Sequence, residues 1–206
     1  GDICRIMRFH VIGLPHTQIK KSWSTCAYTT KIYKFCQMMM SRGHKVYLYG
    51  PEGSDAPCTE FIQVISTAEQ DRLIGDKQGQ NEFYKAKFDV NMPYWQIINT
   101  RAVSEINKRK TRGDFLCLIA GTCQKPIADA ISDIYTVEYG IGYSGVFAPY
   151  RIYESYAWLH TIAGAGAGDA SKANGRAYDA VIPNYFDPAD FPYVAKKRII
   201  TYMLGA

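Results

Sequence analysis

The sequence predicts an α/β domain built on an open, mostly parallel sheet of the Rossmann-like type, with helices on both faces. Short runs that are apolar throughout alternate along the chain with amphipathic segments. A strand that is apolar on both faces is buried on both faces, which is the condition of strands in a parallel sheet. The regular alternation of the two kinds of segment indicates that helices connect successive strands.

The first half of the chain predicts a strand, a helix and two further strands. The apolar run at 9–14 stops at Gly13, Leu14 and Pro15, as a buried strand entering a loop does. Apolar residues then recur at helical spacing over 24–42, and Gly43 follows as a helix stop. Strands are predicted at 45–49 and 61–65, with a loop over 50–57 between them.

The second half continues the alternation, after a segment at 70–89 whose scattered charges show only weak periodicity. Trp95, Ile98, Ala102 and Ile106 predict a helix over 93–109. The remaining predictions are a strand at 115–120, a short helix at 125–131, a strand at 134–137, one helix over 148–160, a glycine-rich surface loop at 163–175 and a last strand at 178–182.

Composition indicates an ordinary globular protein. The chain has 206 residues, of which 47% are hydrophobic and 21% charged, and a net charge of +5. A chain of this length buries a core without needing disulfides. Its densest basic cluster, at 108–112, falls at the end of a predicted helix, where cations complement the helix dipole, so nucleic-acid binding is not expected.

Location and metal content are predicted from what the sequence lacks. No apolar run approaches the roughly 18 residues of a membrane helix, and the first residues contain no secretory apolar region, so we expect a cytoplasmic protein. The six cysteines show no C-x-x-C pair and no histidine at zinc-ligand spacing. We therefore expect free thiols and no metal site.

Loops that follow strands are the places to look for a site, because ligands of open parallel sheets bind beyond the carboxyl ends of the strands. The loop at 13–23 offers Gly13, His16, Thr17 and Lys20 ahead of a helix N-terminus, an arrangement that suits a phosphate. Polar loops before helices are common, and a solvated loop is an equal alternative. Lys125, near the start of a short helix, indicates either an anionic partner or a lysine that points into water.

A second loop, over 137–145, combines a carboxylate with glycines and tyrosines. It contains the pattern G-x-G-x-x-G, which is typical of dinucleotide-binding turns. The pattern does not belong to the first strand, and no acidic residue follows at the distance that ribose recognition requires, so NAD(P) binding is the weaker interpretation. The candidate residues of this region are Glu138, Tyr139, Gly140, Gly142, Tyr143 and Arg151.

Four segments together resemble the N-terminal domain of family four glycosyltransferases of the GT-B type. They are the loop at 13–23, the run R-G-H-K-V at 42–46, the segment at 137–143 and the run V-I-P-N-Y-F-D-P-A-D-F at 181–191. In that family a similar I-P-N run closes the N-terminal domain and leads into a donor-binding domain. The resemblance implies an acceptor-side domain over 1–194, followed by an interdomain linker and the start of a missing donor-binding domain over 195–206.

The resemblance implies transfer of a sugar from a nucleotide-sugar donor to a hydroxyl acceptor such as a glycan. The enzyme would be a metal-independent, hexosyltransferase-like glycosyltransferase without a separate cofactor, and this half alone would be catalytically silent. Glu138 stands where family members commonly carry a histidine that reaches toward the reacting sugar. Donor- or acceptor-binding roles fall to Gly13, His16, Thr17, Lys20, Lys125, Tyr139, Gly140, Gly142, Tyr143 and Arg151.

Two other functions are compatible with the same residues. The first is a non-catalytic module that binds a glycan or a nucleotide, and the second is an NAD(P)-binding domain that uses Gly140, Gly142 and Gly145. Peripheral contact with a membrane surface and the oligomeric state are left open by the sequence.

Overall fold

The computed structural model describes residues 5–23, 25–75, 77–78, 83–166, 168, 171, 173–193 and 195. Within them, seven strands form one sheet, and two short strands pair separately as an antiparallel hairpin. The strands of the sheet are β1 (Arg8–Ile12), β2 (Lys45–Pro51), β3 (Glu60–Ile65), β6 (Phe115–Leu118), β7 (Tyr135–Ile141), β8 (Tyr150–Tyr153) and β9 (Asp179–Val181). Those of the hairpin are β4 (Lys77–Gln78) and β5 (Phe83–Tyr84).

The helices of the described residues connect these strands. They are α1 (Ala27–Ser41), α2 (Thr67–Leu73), α3 (Pro93–Asn107), α4 (Lys125–Ala130) and α5 (Tyr156–Ala165), with short 3-10 turns at Lys21–Trp23, Gly121–Gln124 and Pro188–Asp190. None of the helices in this part of the chain combines the length and the apolar character needed to cross a bilayer.

The strand order of the sheet is β3-β2-β1-β6-β7-β8-β9, and every neighbouring pair is parallel. The chain moves outward from β1 to β3, returns across the sheet through α3, and then moves outward in the other direction from β6 to β9. The order therefore reverses between β1 and β6, as in doubly wound folds. This confirms the predicted Rossmann-like open parallel sheet.

Helices cover both faces of the sheet. The two faces can be distinguished by side-chain contacts, since neighbouring residues of a strand point to opposite faces. Phe9 of β1 contacts Phe35 of α1, with ring centroids 5.5 Å apart. On the other face, Arg109, just after α3, pairs with Glu60 of β3. The core between these layers is built mainly from Val, Ile and Leu of the central strands.

One element prediction is wrong and one helix was not predicted, and both differences have a local cause. The segment predicted as one helix over 148–160 is strand β8 followed by α5, and Ser155 separates them by capping α5 at the backbone N–H of Trp158. Helix α2 has no counterpart in the prediction, which assigned no element to 66–69 and found only weak periodicity over 70–89. The helix begins at a reciprocal capping box formed by Ser66 and Glu69. The predicted loop at 163–175 also begins late, because α5 continues to Ala165.

The segment after β9, which the sequence predicts to be an interdomain hinge, runs back along α1. Lys34 of α1 donates a hydrogen bond to the carbonyl of Tyr185 at 3.0 Å. Lys21, in the turn before α1, pairs with Asp190 at 2.6 Å. Of the predicted linker and second-domain segment at 195–206, all but Ala195 lies outside the described residues.

Candidate functional site

The loop after β1 is packed into the domain and does not project from it. Gly13 donates its N–H to the carbonyl of Tyr49 at 2.7 Å, which continues the pairing of β1 with β2. A Cβ on Gly13 would lie 2.7 Å from Cδ1 of Ile19 and 3.1 Å from the Tyr49 carbonyl oxygen. The glycine is therefore required by the packing of its own loop. The sequence-based expectation was that Gly13 would allow a phosphate to approach.

The point where the strand order reverses is filled by one side chain, that of Gln124. Its Oε1 accepts hydrogen bonds from the backbone N–H groups of Ile119 and Ala120, at 2.8 and 3.0 Å. Its Nε2 donates to the carbonyl of Gly13 at 3.1 Å. Gln124 is fully buried. The crevice that ligands of such folds usually occupy is closed here by an amide bridge between β1 and β6.

An open cavity lies beside this bridge, beyond the carboxyl ends of β6 and β7. Its volume is about 280 Å³, close to the lower end of the roughly 300–1,000 Å³ that ligand sites span. Gly121 lets its two loops meet, because it has a φ of +55° and a Cβ there would lie 3.1 Å from the carbonyl oxygen of Ser144. The lining residues of this β6–β7 cavity are Tyr28, Phe88, Ile119, Ala120, Thr122, Cys123, Tyr143, Ser144 and Gly145.

The wall of the β6–β7 cavity combines aromatic rings with hydroxyl groups. The ring of Tyr28 lies 5.9 Å from that of Phe88 and 6.1 Å from that of Tyr143. Thr122 and Ser144 are exposed at its opening. None of the lining residues is charged. The cavity is thus suited to a ligand with an apolar face and hydrogen-bonding groups at its edge.

Glu138 lies in the middle of β7, which ends at Ile141, and its side chain is fully buried. Oε2 accepts hydrogen bonds from the backbone N–H groups of Phe147 and Ala148, at 2.8 and 2.7 Å, and Oε1 accepts one from the hydroxyl of Tyr143 at 3.1 Å. Burial raises the pKa of Glu138, and this effect outweighs the hydrogen bonds that favour its ionised form.

These bonds explain how β7 and β8 are joined without a helix. Parallel neighbours usually need a longer crossover that contains a helix, whose backbone groups bond to one another. The connection here, over 142–149, is irregular, so its N–H groups need other acceptors. Glu138 supplies them, and by the same means it fixes the ring of Tyr143 in the cavity wall.

The glycine pattern that resembles a dinucleotide-binding turn is accounted for by packing against an ion pair. Lys31 of α1 pairs with Glu154 at 2.5 Å and also donates to the carbonyl of Gly140 at 2.9 Å. Gly140 has a φ of +56°, and a Cβ on Gly142 would overlap the carboxylate of Glu154. No helix begins at Gly145, since the chain continues into β8.

The polar residues predicted in the first loop have different surroundings. The hydroxyl of Thr17 is buried and bonds to that of Thr29 at 2.5 Å. Lys20 is half-buried and does not line the cavity. His16 is 7% exposed, its Nδ1 has no hydrogen-bond partner among the described residues, and burial lowers its pKa to about 4. Of these three residues, His16 alone has a fully buried polar atom without a partner among the described residues.

Three further candidates lie away from the cavity wall. Tyr139 is buried on the α1 face of the sheet against Phe35, so it points away from Glu138. Arg151 lies on β8 and donates to the carbonyl of Ala148, which braces the 142–149 connection. Lys125 pairs with Asp129; both line a second cavity of about 350 Å³ between α4 and the starts of β7 and β8.

Of the predicted residues, Tyr143 and Gly145 therefore line the β6–β7 cavity, and His16 lies next to it in contact with the lining residue Phe88. The other predicted residues do not line this cavity. Sequence reasoning had no signal for Tyr28 or Phe88, because neither lies in a predicted site loop. Ser144 was not selected either, although it lies inside the predicted loop over 137–145. Phe88 lay in a segment to which no element was assigned.

Searches of protein-family models and of curated proteins each returned no match for this chain. Among the described residues, no three His, Cys, Asp or Glu side chains are grouped as metal ligands would be.

Proposed function

We propose that this domain is the acceptor-binding half of a GT-B-type glycosyltransferase and that its β6–β7 cavity holds the uncharged acceptor sugar. Two features support the proposal. The four sequence segments resemble that family, and the cavity lies at the carboxyl edge of a parallel sheet, next to the point of strand-order reversal where such folds usually bind ligands. The donor nucleotide sugar would bind mainly to the second domain that the resemblance implies.

The observation that carries the proposal is the chemistry of the cavity wall. A pyranose ring has an apolar C–H face and a rim of hydroxyl groups. Tyr28 and Tyr143 offer aromatic surfaces for the face, and Thr122 and Ser144 offer hydroxyls for the rim. A diphosphate would instead require cations or several free N–H groups.

Two of the lysines predicted or found near the ends of these strands are already engaged. Lys31 pairs with Glu154, and Lys125 pairs with Asp129. Neither lysine lines the cavity, and the lining contains no charged residue. An uncharged ligand therefore fits the cavity better than a nucleotide does.

Glu138 has a supporting role in this proposal. Its carboxylate reaches the cavity only through the hydroxyl of Tyr143, because its other bonds hold the 142–149 connection. It positions the ring on which the sugar would stack. The residues that contact the sugar directly are the lining side chains.

The test is a binding panel on the purified chain, made up of methyl hexosides, nucleotide sugars and NAD(P) and read by saturation-transfer NMR and calorimetry. We expect methyl hexosides to bind weakly, because a single small ring offers few contacts, and Tyr28→Ala to weaken binding by about tenfold. Tyr156→Ala is the matched control, since Tyr156 is 68% exposed on α5 and does not line the cavity. Binding of NAD(P) alone, or equal losses in both variants, would contradict the proposal.

A further inference from the structure

One wall of the β6–β7 cavity separates it from a buried histidine. Phe88 lines the cavity, and its ring also makes an edge contact with His16, with centroids 5.5 Å apart and planes at 76°. His16 itself does not line the cavity. The imidazole is therefore one aromatic ring away from the space that we assign to the ligand.

The Nδ1 atom of His16 is unusual because it is a buried polar atom without a hydrogen bond to any of the described residues. A buried polar atom without a partner costs roughly 1–3 kcal/mol, so such atoms in folded proteins require an explanation. A ligand group that bonds to Nδ1 would recover this free energy.

The backbone next to Phe88 is held in place, whereas its ring is half-exposed. The N–H of Lys87 donates to the hydroxyl of Tyr94 at 2.8 Å, and the carbonyl of Lys87 accepts a bond from Nε1 of Trp95 at 2.9 Å. Two residues after Lys87, Asp89 accepts the N–H of Asn91 at 2.9 Å. Phe88 lies between these anchors and is 49% exposed, and its ring also contacts that of Trp95, with centroids 5.6 Å apart. Rotation about its side-chain torsions would break the ring contacts and leave the anchored backbone in place.

We propose that the ring of Phe88 is a side-chain gate, and that its outward rotation makes Nδ1 of His16 the hydrogen-bonding end of the cavity for a hydroxyl group of an uncharged ligand. This inference rests on the proposed function for the identity of the ligand, a hexoside. The gate itself rests only on the contacts of Phe88.

Several properties of the site agree on an uncharged ligand. Burial lowers the pKa of His16 to about 4, so the imidazole is neutral at physiological pH and exerts no attraction on an anion. A neutral imidazole nitrogen can accept a bond from a hydroxyl or donate one to it, depending on the tautomer. Gln18, on the same loop, also has a buried oxygen, Oε1, without a partner among the described residues, but it does not line the cavity.

The gate is tested by the chemical reactivity of His16. Diethyl pyrocarbonate modifies neutral imidazole, and modification of His16 can be followed by peptide mass spectrometry. We expect Phe88→Ala to raise its rate of modification by about tenfold or more. Phe186→Ala is the matched control, since Phe186 is also an exposed phenylalanine but packs beside Lys34. An unchanged rate in Phe88→Ala overturns the gate.

The role of His16 toward the ligand is tested in the Phe88→Ala background. We expect a methyl hexoside to protect His16 from modification there, and His16→Gln to lower the affinity for that hexoside about fivefold or more. Unchanged affinity and absent protection would refute this role while leaving the proposed function intact. If no hexoside binds the wild-type chain, the proposed function and the ligand role of His16 both fail, and the reactivity experiment still decides the gate.

Discussion

His10 on β1 and His16 in the loop after β1 are both buried, but only His10 has hydrogen-bond partners for both ring nitrogens among the described residues. Nδ1 of His10 bonds to the hydroxyl of Tyr49, and Nε2 to Asp114, both at 2.8 Å. Because a carboxylate only accepts hydrogen bonds, Nε2 carries the proton and Nδ1 accepts one from Tyr49. Nδ1 of His16 has no partner among the described residues.

This difference indicates different roles: His10 stabilises the fold, whereas His16 is available to bind a ligand. Asp114 also accepts bonds from Arg8 and Thr111, so the network around His10 is complete. Complete buried networks fix one arrangement of the core, whereas an unpaired group lowers stability unless binding compensates for it. His10 lies inside the sheet, and His16 lies at the carboxyl edge beside the cavity.

The largest effect on stability is expected from removing Asp114, the shared acceptor of the network around His10. Asp114→Ala should lower the free energy of unfolding by roughly 3–5 kcal/mol, because it leaves Arg8 and His10 without their buried acceptor. Urea denaturation measures the change. Asp129→Ala, which removes only the exposed pair with Lys125, should stay close to wild type. A loss as small as that of the control would show that the network does not stabilise the fold.

A smaller effect is expected from the carboxylate that supports the cavity. Glu138→Ala should lower the free energy of unfolding by about 2–3 kcal/mol, since it removes the acceptor of two buried N–H groups and of the Tyr143 hydroxyl. Amide hydrogen exchange should become faster at Phe147 and Ala148 and stay unchanged in β1. Exchange rates at those two amides equal to wild type would argue against the anchoring role.

The smallest effect concerns pH and distinguishes the two histidines directly. The pKa of His16 is about 4 in the folded protein and near 6.5 when unfolded, so the unfolded chain binds more protons between these values. The stability contributed by neutral His16 is present above pH 6.5 and is lost as the pH falls toward 4. From pH 7 to pH 5 this loss is about 2 kcal/mol.

The His16→Gln variant should lack this part of the pH dependence when both proteins are unfolded with urea at pH 7 and pH 5. Burial also lowers the pKa of His10, against the opposing effect of its bond to Asp114, so a shared acid loss remains in both proteins. Parallel pH curves for the variant and the wild type would mean that His16 is not held neutral by burial.

The fold could be predicted from the sequence because its strands are apolar throughout and are spaced by helical segments. Strand β8 could not be predicted. The run Y-R-I-Y at 150–153 continues directly into the aromatic start of α5, and no change of periodicity separates the strand from the helix. The break lies at Ser155, whose capping role is visible only once the helix is placed. Helix α2 was detectable, because Ser66 and Glu69 have capping-box spacing.

The candidate site was harder to predict, because its residues come together only through tertiary packing. The sequence located the relevant loops correctly at the ends of strands, and this placed His16 and Tyr143 near the cavity. It could not show that β7 extends to Ile141, which puts Glu138 inside the strand rather than at its tip. Nor could it show that Gly13 and Gly142 accommodate Ile19 and Glu154 rather than a ligand.

The amide of Gln124 has a consequence for how the domain responds to a ligand. It joins backbone groups at the ends of β1 and β6, and those ends cannot separate without leaving several buried groups unbonded. The scaffold around the cavity is thereby preorganised, and adaptation to a bound molecule falls to rotating side chains instead of sliding strands. Recognition by this domain should therefore resemble the fit of a ligand to a rigid frame with one adjustable wall.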